Sequence, residues 1–211
     1  MVVTTVRGLP PLKGVLFDFG GVLSREGFRG GLYAIARKNG LDPEPFFLFA
    51  SDAIYDTGYI TGRATEADYW KALRRDTGIR GTDAELTGEI LPRFLLRPSM
   101  IDAVRLLRRK GYVVAIASDQ VDWLERLDER DRFYKEFDRV FNSFRLGKGK
   151  RDATVFDDMA NALNRKPGEL LFLDDNAGNV ERAASRGMHA MVVANPGQTV
   201  EELRALPALP G

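Results

Sequence analysis

Residues 170–188 read LLFLDDNAGNVERAASRGM. The apolar run Leu170 to Leu173 does not alternate with polar residues, which predicts a strand covered on both faces. Two carboxylates, Asp174 and Asp175, follow it. The pattern from Asn176 to Arg186 then predicts a helix that stops at Gly187. A buried strand, a pair of acids at its end and a helix leading away form one half of a parallel β-α-β unit. Four more apolar runs extend the pattern: Gly14 to Phe19 (GVLFDF), Tyr112 to Ala117 (YVVAIA), Arg139 to Phe141 and Ala190 to Ala194. Helices are predicted between them. Ser99 to Lys110 opens with a Ser-x-x-Asp cap signal. Asp152 to Asn164 carries Val155, Phe156, Met159 and Leu163 at helical spacing, and a last helix opens with Thr199 and Glu202 as a capping box. The fold class that follows is α/β, a doubly wound parallel sheet, in which ligands bind at the carboxyl ends of the strands.

One interval lacks strands. Between Leu23 and Arg97 the helical stretches Leu32–Lys38, Pro45–Ile54, Thr65–Thr77 and Asp83–Leu96 follow one another, separated by turns. This predicts a core of residues 1–23 and 98–211 with a small all-helical cap, residues 24–97, inserted after the first strand. The Gly-rich segment GFRGG, Gly27 to Gly31, reads as a hinge or turn. The ends, Met1–Pro11 and Leu206–Gly211, contain prolines and are expected to be loosely held.

Composition narrows the chemistry. The 211 residues hold 31 basic and 30 acidic side chains, a net charge of +1, with no basic stripe of the kind a nucleic-acid binder needs. The run Arg105, Arg108, Arg109 and Lys110 reads as a solvated helix face. No apolar run is long enough to span a membrane and the start does not resemble a signal peptide, so the cytoplasm is the expected location. There is no Cys, and His189, expected to be structural, is the lone His. Thiolate and His-cluster metal sites are thereby excluded. What remains for catalysis is carboxylates, hydroxyls, Lys, Arg and backbone.

Asp18 ends the first strand and is followed by Gly20 and Gly21. With Asp174 and Asp175 it gathers three carboxylates at one sheet edge, where they raise one another's pKa unless a cation neutralises them. All-oxygen ligation suits Mg²⁺ better than Zn²⁺. Ser118 ends the strand YVVAIA and Lys150 lies in the stretch SFRLGKGKRD after the weak strand. A hydroxyl, a backbone N–H and a Lys around Mg²⁺ are the groups that phosphoryl transfer requires.

These four segments, VLFDFGGVLS, AIASD, SFRLGKGKRD and LLFLDDNAGNVERAASRGM, resemble in order the four motifs of the haloacid dehalogenase-like hydrolase superfamily. The resemblance runs from about Lys13 to Ala194, and the helical insert resembles the cap of the subgroup with its cap between motifs one and two. It implies a phosphatase that removes phosphate from a small phosphorylated metabolite, sugar phosphates included. By that likeness Asp18 is the nucleophile that forms an aspartyl phosphate. Asp18, the Gly20 carbonyl and Asp175 hold Mg²⁺, and Asp174 either joins them as a ligand or holds a metal-bound water. Ser118 and the N–H of Asp119 bind phosphate oxygens, Lys150 neutralises the phosphoryl charge, and Asn179 orients the motif-four turn. Substrate-contacting cap residues are expected around Arg25–Arg29 and Tyr55–Tyr59, whereas Tyr69, Trp70 and Trp123 read as core.

Three positions depart from the family pattern. Gly20 stands where most phosphatases of the family carry a second Asp as general acid, a contribution typically worth about 10²–10⁴-fold. Asp119 replaces the frequent Asn, and only its N–H is expected to face the site. Arg151 replaces the common Pro, with an effect expected on loop stiffness alone. The alternatives are a catalytically weak binding or regulatory protein that keeps the fold, a 2-haloacid dehalogenase, whose chemistry is metal-independent, and a phosphomutase, which relies on the missing second Asp.

Overall fold

The computed structural model describes residues 1–210. Five parallel strands form one sheet in the order β3-β2-β1-β4-β5. Strand β1 (Gly14–Phe17) lies at its centre, in register with both neighbours from Gly14 onward. It stops one residue before Asp18, short of the expected Phe19. Residues Phe19–Leu23 instead form a single wide turn, closed by the Ser24 N–H donating to the Phe19 carbonyl at 2.8 Å.

The helical insert comes next: α1 (Phe28–Lys38), α2 (Pro43–Asp56), α3 (Glu66–Thr77) and α4 (Asp83–Ile90). The expected helix Asp83–Leu96 is thus shorter. Pro92 lies in a tight turn, Leu91–Arg93, that follows α4. The GFRGG segment is neither hinge nor free turn, because α1 begins inside it. Gly27 and Gly31 are small for packing reasons: a Cβ on Gly31 would lie 2.4 Å from Ile90 of α4, and one on Gly27 2.6 Å from Phe94. The chain leaves and re-enters the sheet side by side, since Ser24 and Leu96 form an antiparallel bridge.

The return leg runs through α5 (Pro98–Arg109), β2 (Val113–Ser118), α6 (Trp123–Asp131), β3 (Arg139–Asn142), α7 (Ser143–Leu146), α8 (Val155–Ala162), β4 (Leu170–Asp174), α9 (Ala177–Ser185), β5 (His189–Val192) and α10 (Pro196–Arg204). Alternating side chains of the strands enter two apolar layers, as the pleat requires. Val15, Phe17, Ile116 and Leu173 pack with α5, α6 and α10, whereas Leu16, Ala115 and Phe172 pack with α8 and α9. Arg105 and Arg108 of α5 pair with Glu136 and Asp138 at the surface.

Two cap readings are corrected. Ser99 does not cap α5; the helix starts at Pro98, whose fixed φ and missing N–H suit a first helical position. Thr199 does not cap α10 either. Asn195 does, accepting from the N–H groups of Gly197 and Gln198, and Glu202 is drawn away to accept from Thr5 and Val6. Nor are the ends loose. Val2 bridges to Ala190 beside β5, and the Leu209 N–H donates to the Lys110 carbonyl at 2.8 Å. The last residue of the expected loose tail, Gly211, lies outside the described residues. His189 is buried in β5, and that burial pushes its pKa down.

Candidate active site

Asp18 sits one step past β1 because its N–H still donates to the Leu173 carbonyl, at 2.8 Å, extending the ladder while the side chain turns over the sheet edge. Asp174 ends β4 next door and is fully buried. The loop between α7 and α8 brings Lys150 across, and its Nζ donates to Asp18 Oδ1 at 2.8 Å and to Asp174 Oδ2 at 2.6 Å. Asp174 also accepts locally from the Asn176 N–H (2.7 Å) and from Asn179 Nδ2 (3.0 Å). Asn179 is in turn held by Arg182, which also donates to the Lys150 carbonyl at 2.8 Å. Strand ends and the α9 N-terminus therefore clamp the lysine loop from two sides.

Charge does not balance within this cluster. Ligand oxygens of Asp18, Asp174 and Asp175 lie within 4.8 Å of one another, facing one ammonium group. Burial pushes the Asp18 carboxyl up to about 8; Lys150 opposes the rise, and the neighbouring Asp174 and Asp175 add to it. Burial also works against the Lys150 ammonium, but Asp174 and Asp18 outweigh it and hold its pKa above that of an ordinary lysine. An all-oxygen, electron-rich cluster with a surplus of negative charge is the donor set of a hard divalent cation. Gly21 shapes its rim: φ is +77°, and a Cβ there would lie 2.1 Å from Asp175 Oδ2.

Every residue singled out from the sequence for the site, Asp18, Gly20, Ser118, Asp119, Lys150, Asp174 and Asp175, lines one cavity of about 300 Å³ at the carboxyl ends of the strands. Ser118 is buried at the end of β2. Asp119 lines the cavity, and its carboxylate ties it to neighbouring segments. That carboxylate accepts from the Lys150 N–H at 2.9 and 3.0 Å and from the Tyr55 hydroxyl of α2 at 2.6 Å. Arg151 likewise does more than stiffen a loop. Its guanidinium stacks 3.6 Å from the Tyr55 ring centroid and pairs with Asp52 at 2.9 Å.

The helical insert supplies Glu26, Phe28, Phe47, Ser51, Ile54 and Tyr55 to the same cavity. Glu26, Phe28 and Tyr55 fall in the expected ranges. Tyr59 does not line the cavity; it is buried and donates to Asp122. Phe47, Ser51 and Ile60 escape a sequence reading because they look like ordinary residues of amphipathic helices and turns. Gln120 was equally unmarked, although it directly follows the Ser118-Asp119 pair. Trp123 is core, as expected, and also lines the cavity. Glu26 caps α1, its oxygens accepting from the N–H groups of Phe28 (3.0 Å) and Arg29 (2.8 Å); burial raises its pKa against the pull of those bonds.

Residues 12–185 match the sequence model of the haloacid dehalogenase-like hydrolases. The chain belongs to that family. Among individual relatives, it is 30% identical over 118 residues to bifunctional epoxide hydrolase 2 of Mus musculus; the match covers 53% of this chain and 21% of that protein. The chain thus corresponds to about a fifth of that relative's length. Solved structures share the family fold over nearly the whole chain. A predicted HAD-like family hydrolase from Porphyromonas gingivalis superposes with a TM-score of 0.70 at 26% identity, covering 93% of this chain and 100% of that one. A HAD family enzyme from Bacteroides thetaiotaomicron, solved with magnesium and inorganic phosphate, gives 0.66 at 19% identity over 86% and 93%. An L-2-haloacid dehalogenase from Xanthobacter autotrophicus gives 0.65 at 19% identity over 94% and 85%. No helix among the described residues is long and apolar enough to cross a membrane.

Proposed function

We propose that this chain is a Mg²⁺-dependent phosphatase that acts on a small organic phosphomonoester through an aspartyl phosphate on Asp18. The observation that carries the reading is the cluster of Asp18, Asp174 and Asp175 around buried Lys150, lining one cavity at the carboxyl ends of the strands. Dehalogenation is metal-independent and calls for no cation, whereas phosphoryl transfer uses one to neutralise charge at such a cluster. The magnesium and phosphate bound by the Bacteroides relative support the same assignment.

Asp18, Asp174, Asp175 and the Gly20 carbonyl would hold Mg²⁺, which when bound supplies charge neutralisation for the phosphoryl oxygens. An Asp18 carboxylate oxygen attacks phosphorus while the bond to the leaving oxygen breaks. Water then attacks the same phosphorus, the Asp18–phosphorus linkage breaks, and inorganic phosphate departs. Ser118, the Asp119 N–H and Lys150 bind the equatorial oxygens, a preorganised set that needs no rearrangement as charge develops. Residues 24–97 act as a cap that keeps bulk water from the phosphorylated aspartate. The same reading places the enzyme in the cytoplasm, acting on a phosphorylated metabolite.

One observation favours a second reading. Gly20 has no proton to give, which suits a protein that retains the fold for binding or regulation. Phosphate release from a panel of phosphorylated metabolites, with Mg²⁺ or EDTA, separates the two. Mg²⁺-dependent release that is lost in Asp18→Asn supports the phosphatase. Absence of release, and of any phosphorylated Asp18, supports the binding protein.

A further inference from the structure

An alcohol leaving a phosphate ester needs a proton, and position 20 supplies none. The backbone there is ordinary (φ −69°, ψ 135°), and a Cβ would meet only Phe94, at 3.5 Å. The same Phe94 ring lies against the start of the helical insert, where a Cβ on Gly27 would come within 2.6 Å of it. One ring thus adjoins both the place of the missing side chain and the residue that follows Glu26. Gly20 and Glu26 line the same cavity.

Five carboxyl groups line that cavity, and four are committed. Asp18 is the nucleophile, and Asp174 and Asp175 complete the cation cluster. Asp119 is held as an acceptor by the Lys150 N–H and the Tyr55 hydroxyl. Glu26 is left. The other proton-bearing groups keep their protons. Lys150 is clamped between Asp18 and Asp174, and burial, with the Asp119 charge, pushes the Tyr55 pKa up. Arginine does not release a proton in this range.

Glu26 has the attributes the role demands. The N–H groups of Phe28 and Arg29 each donate to one of its carboxyl oxygens, at 3.0 and 2.8 Å. These bonds fix the carboxyl in place and leave each oxygen a second lone pair, on which a proton can sit. Although the residue as a whole stays open to solvent, its carboxyl is crowded by protein. Burial raises its pKa against the pull of the two N–H bonds, and the Asp175 charge adds to the rise. The protonated form is favoured accordingly.

Resting on the phosphatase reading, we propose that Glu26 is a catalytic residue that stands in for the acid absent at position 20, protonating the oxygen of a leaving alcohol. The Asp18 oxygen–phosphorus bond forms and the bond from phosphorus to the leaving oxygen breaks. That oxygen takes the Glu26 proton and departs as a neutral alcohol. When water then attacks phosphorus, the Asp18–phosphorus linkage breaks and the Glu26 carboxylate takes the proton that the water sheds, which restores the acid.

The test compares kcat/KM, which reports the step that expels the leaving group, for phenyl phosphate and cyclohexyl phosphate with Mg²⁺. The two esters differ little in size but strongly in the acidity of the leaving oxygen. The wild type is expected to cleave both. Glu26→Gln is expected to widen the phenyl-to-cyclohexyl ratio by about 10²–10⁴-fold, the span that general acid catalysis supplies. A residue that only supports the start of α1 would slow both esters alike and leave the ratio where it was. Glu26→Ala serves the same comparison if Glu26→Gln does not fold. A widening of less than about tenfold overturns the proposal and leaves the phosphatase intact. So does a wild type that releases phosphate from the phenyl ester and none from the cyclohexyl ester. No release from either ester by the wild type removes the phosphatase reading and this inference together.

Discussion

Lys150 is 2% exposed and holds two carboxylates that would otherwise repel each other. Removing one partner from such a buried network strands charge in a low-dielectric site, at a cost of about 3–5 kcal/mol. Lys150→Met is therefore expected to lose roughly that much in urea unfolding, and a loss below about 1 kcal/mol would show that Asp18 and Asp174 tolerate each other without it. The two glycines that follow the strand separate cleanly. Gly21→Ala forces a Cβ onto Asp175 at positive φ, so Asp175 must move. That variant is expected to lose activity and its response to Mg²⁺, while Gly20→Ala, free of both conflicts, keeps its fold and melts close to the wild type.

At the level of elements, α1 and α4 approach closely because Gly31 lacks a side chain. Gly31→Ala should push them apart and cost about 1–3 kcal/mol by overpacking, visible as a lowered urea midpoint. Asp119 ties three segments together: β2, whose end it follows, the lysine loop through the Lys150 N–H, and α2 through Tyr55. Tyr55→Phe removes one of these bonds from a carboxylate at a cost of about 1.5–3 kcal/mol. A double-mutant cycle with Arg151→Ala measures how far the stacked guanidinium shares in that tie, and strict additivity would show that Arg151 acts separately.

At the scale of the whole molecule, a cation bound by the folded cluster and not by the unfolded chain must stabilise the fold, by about 2.7 kcal/mol at a hundredfold excess over Kd, and so raise the melting temperature. The wild type is expected to show this with Mg²⁺ and Asp175→Ala to lack it; equal shifts in both would place the metal elsewhere. The sheet could be read from the sequence because doubly covered strands are unbroken apolar runs, and Asp18, Ser118, Asp174 and Asp175 stood out as the polar residues that follow or end them, while Gly20, Asp119 and Lys150 drew notice through the motif resemblance; the structure gathers all seven around one cavity. Element boundaries were less legible. Whether Asn195 or Thr199 caps α10 depends on Glu202 being occupied by Thr5, 197 residues away. The insert's share of the cavity lining was illegible for a related reason: Phe47 and Ile60 have the pattern of core residues, and only the placement of the insert brings them to the cavity. The Ser24–Leu96 bridge carries a separate consequence for how such a protein diversifies. With the two crossing points side by side, everything between them can be lengthened, shortened or exchanged for another lineage's version without moving Asp18, Asp174 or Asp175. Chimaeras grafted at that bridge should thus inherit their carboxylate cluster from one parent and their choice of substrate from the other.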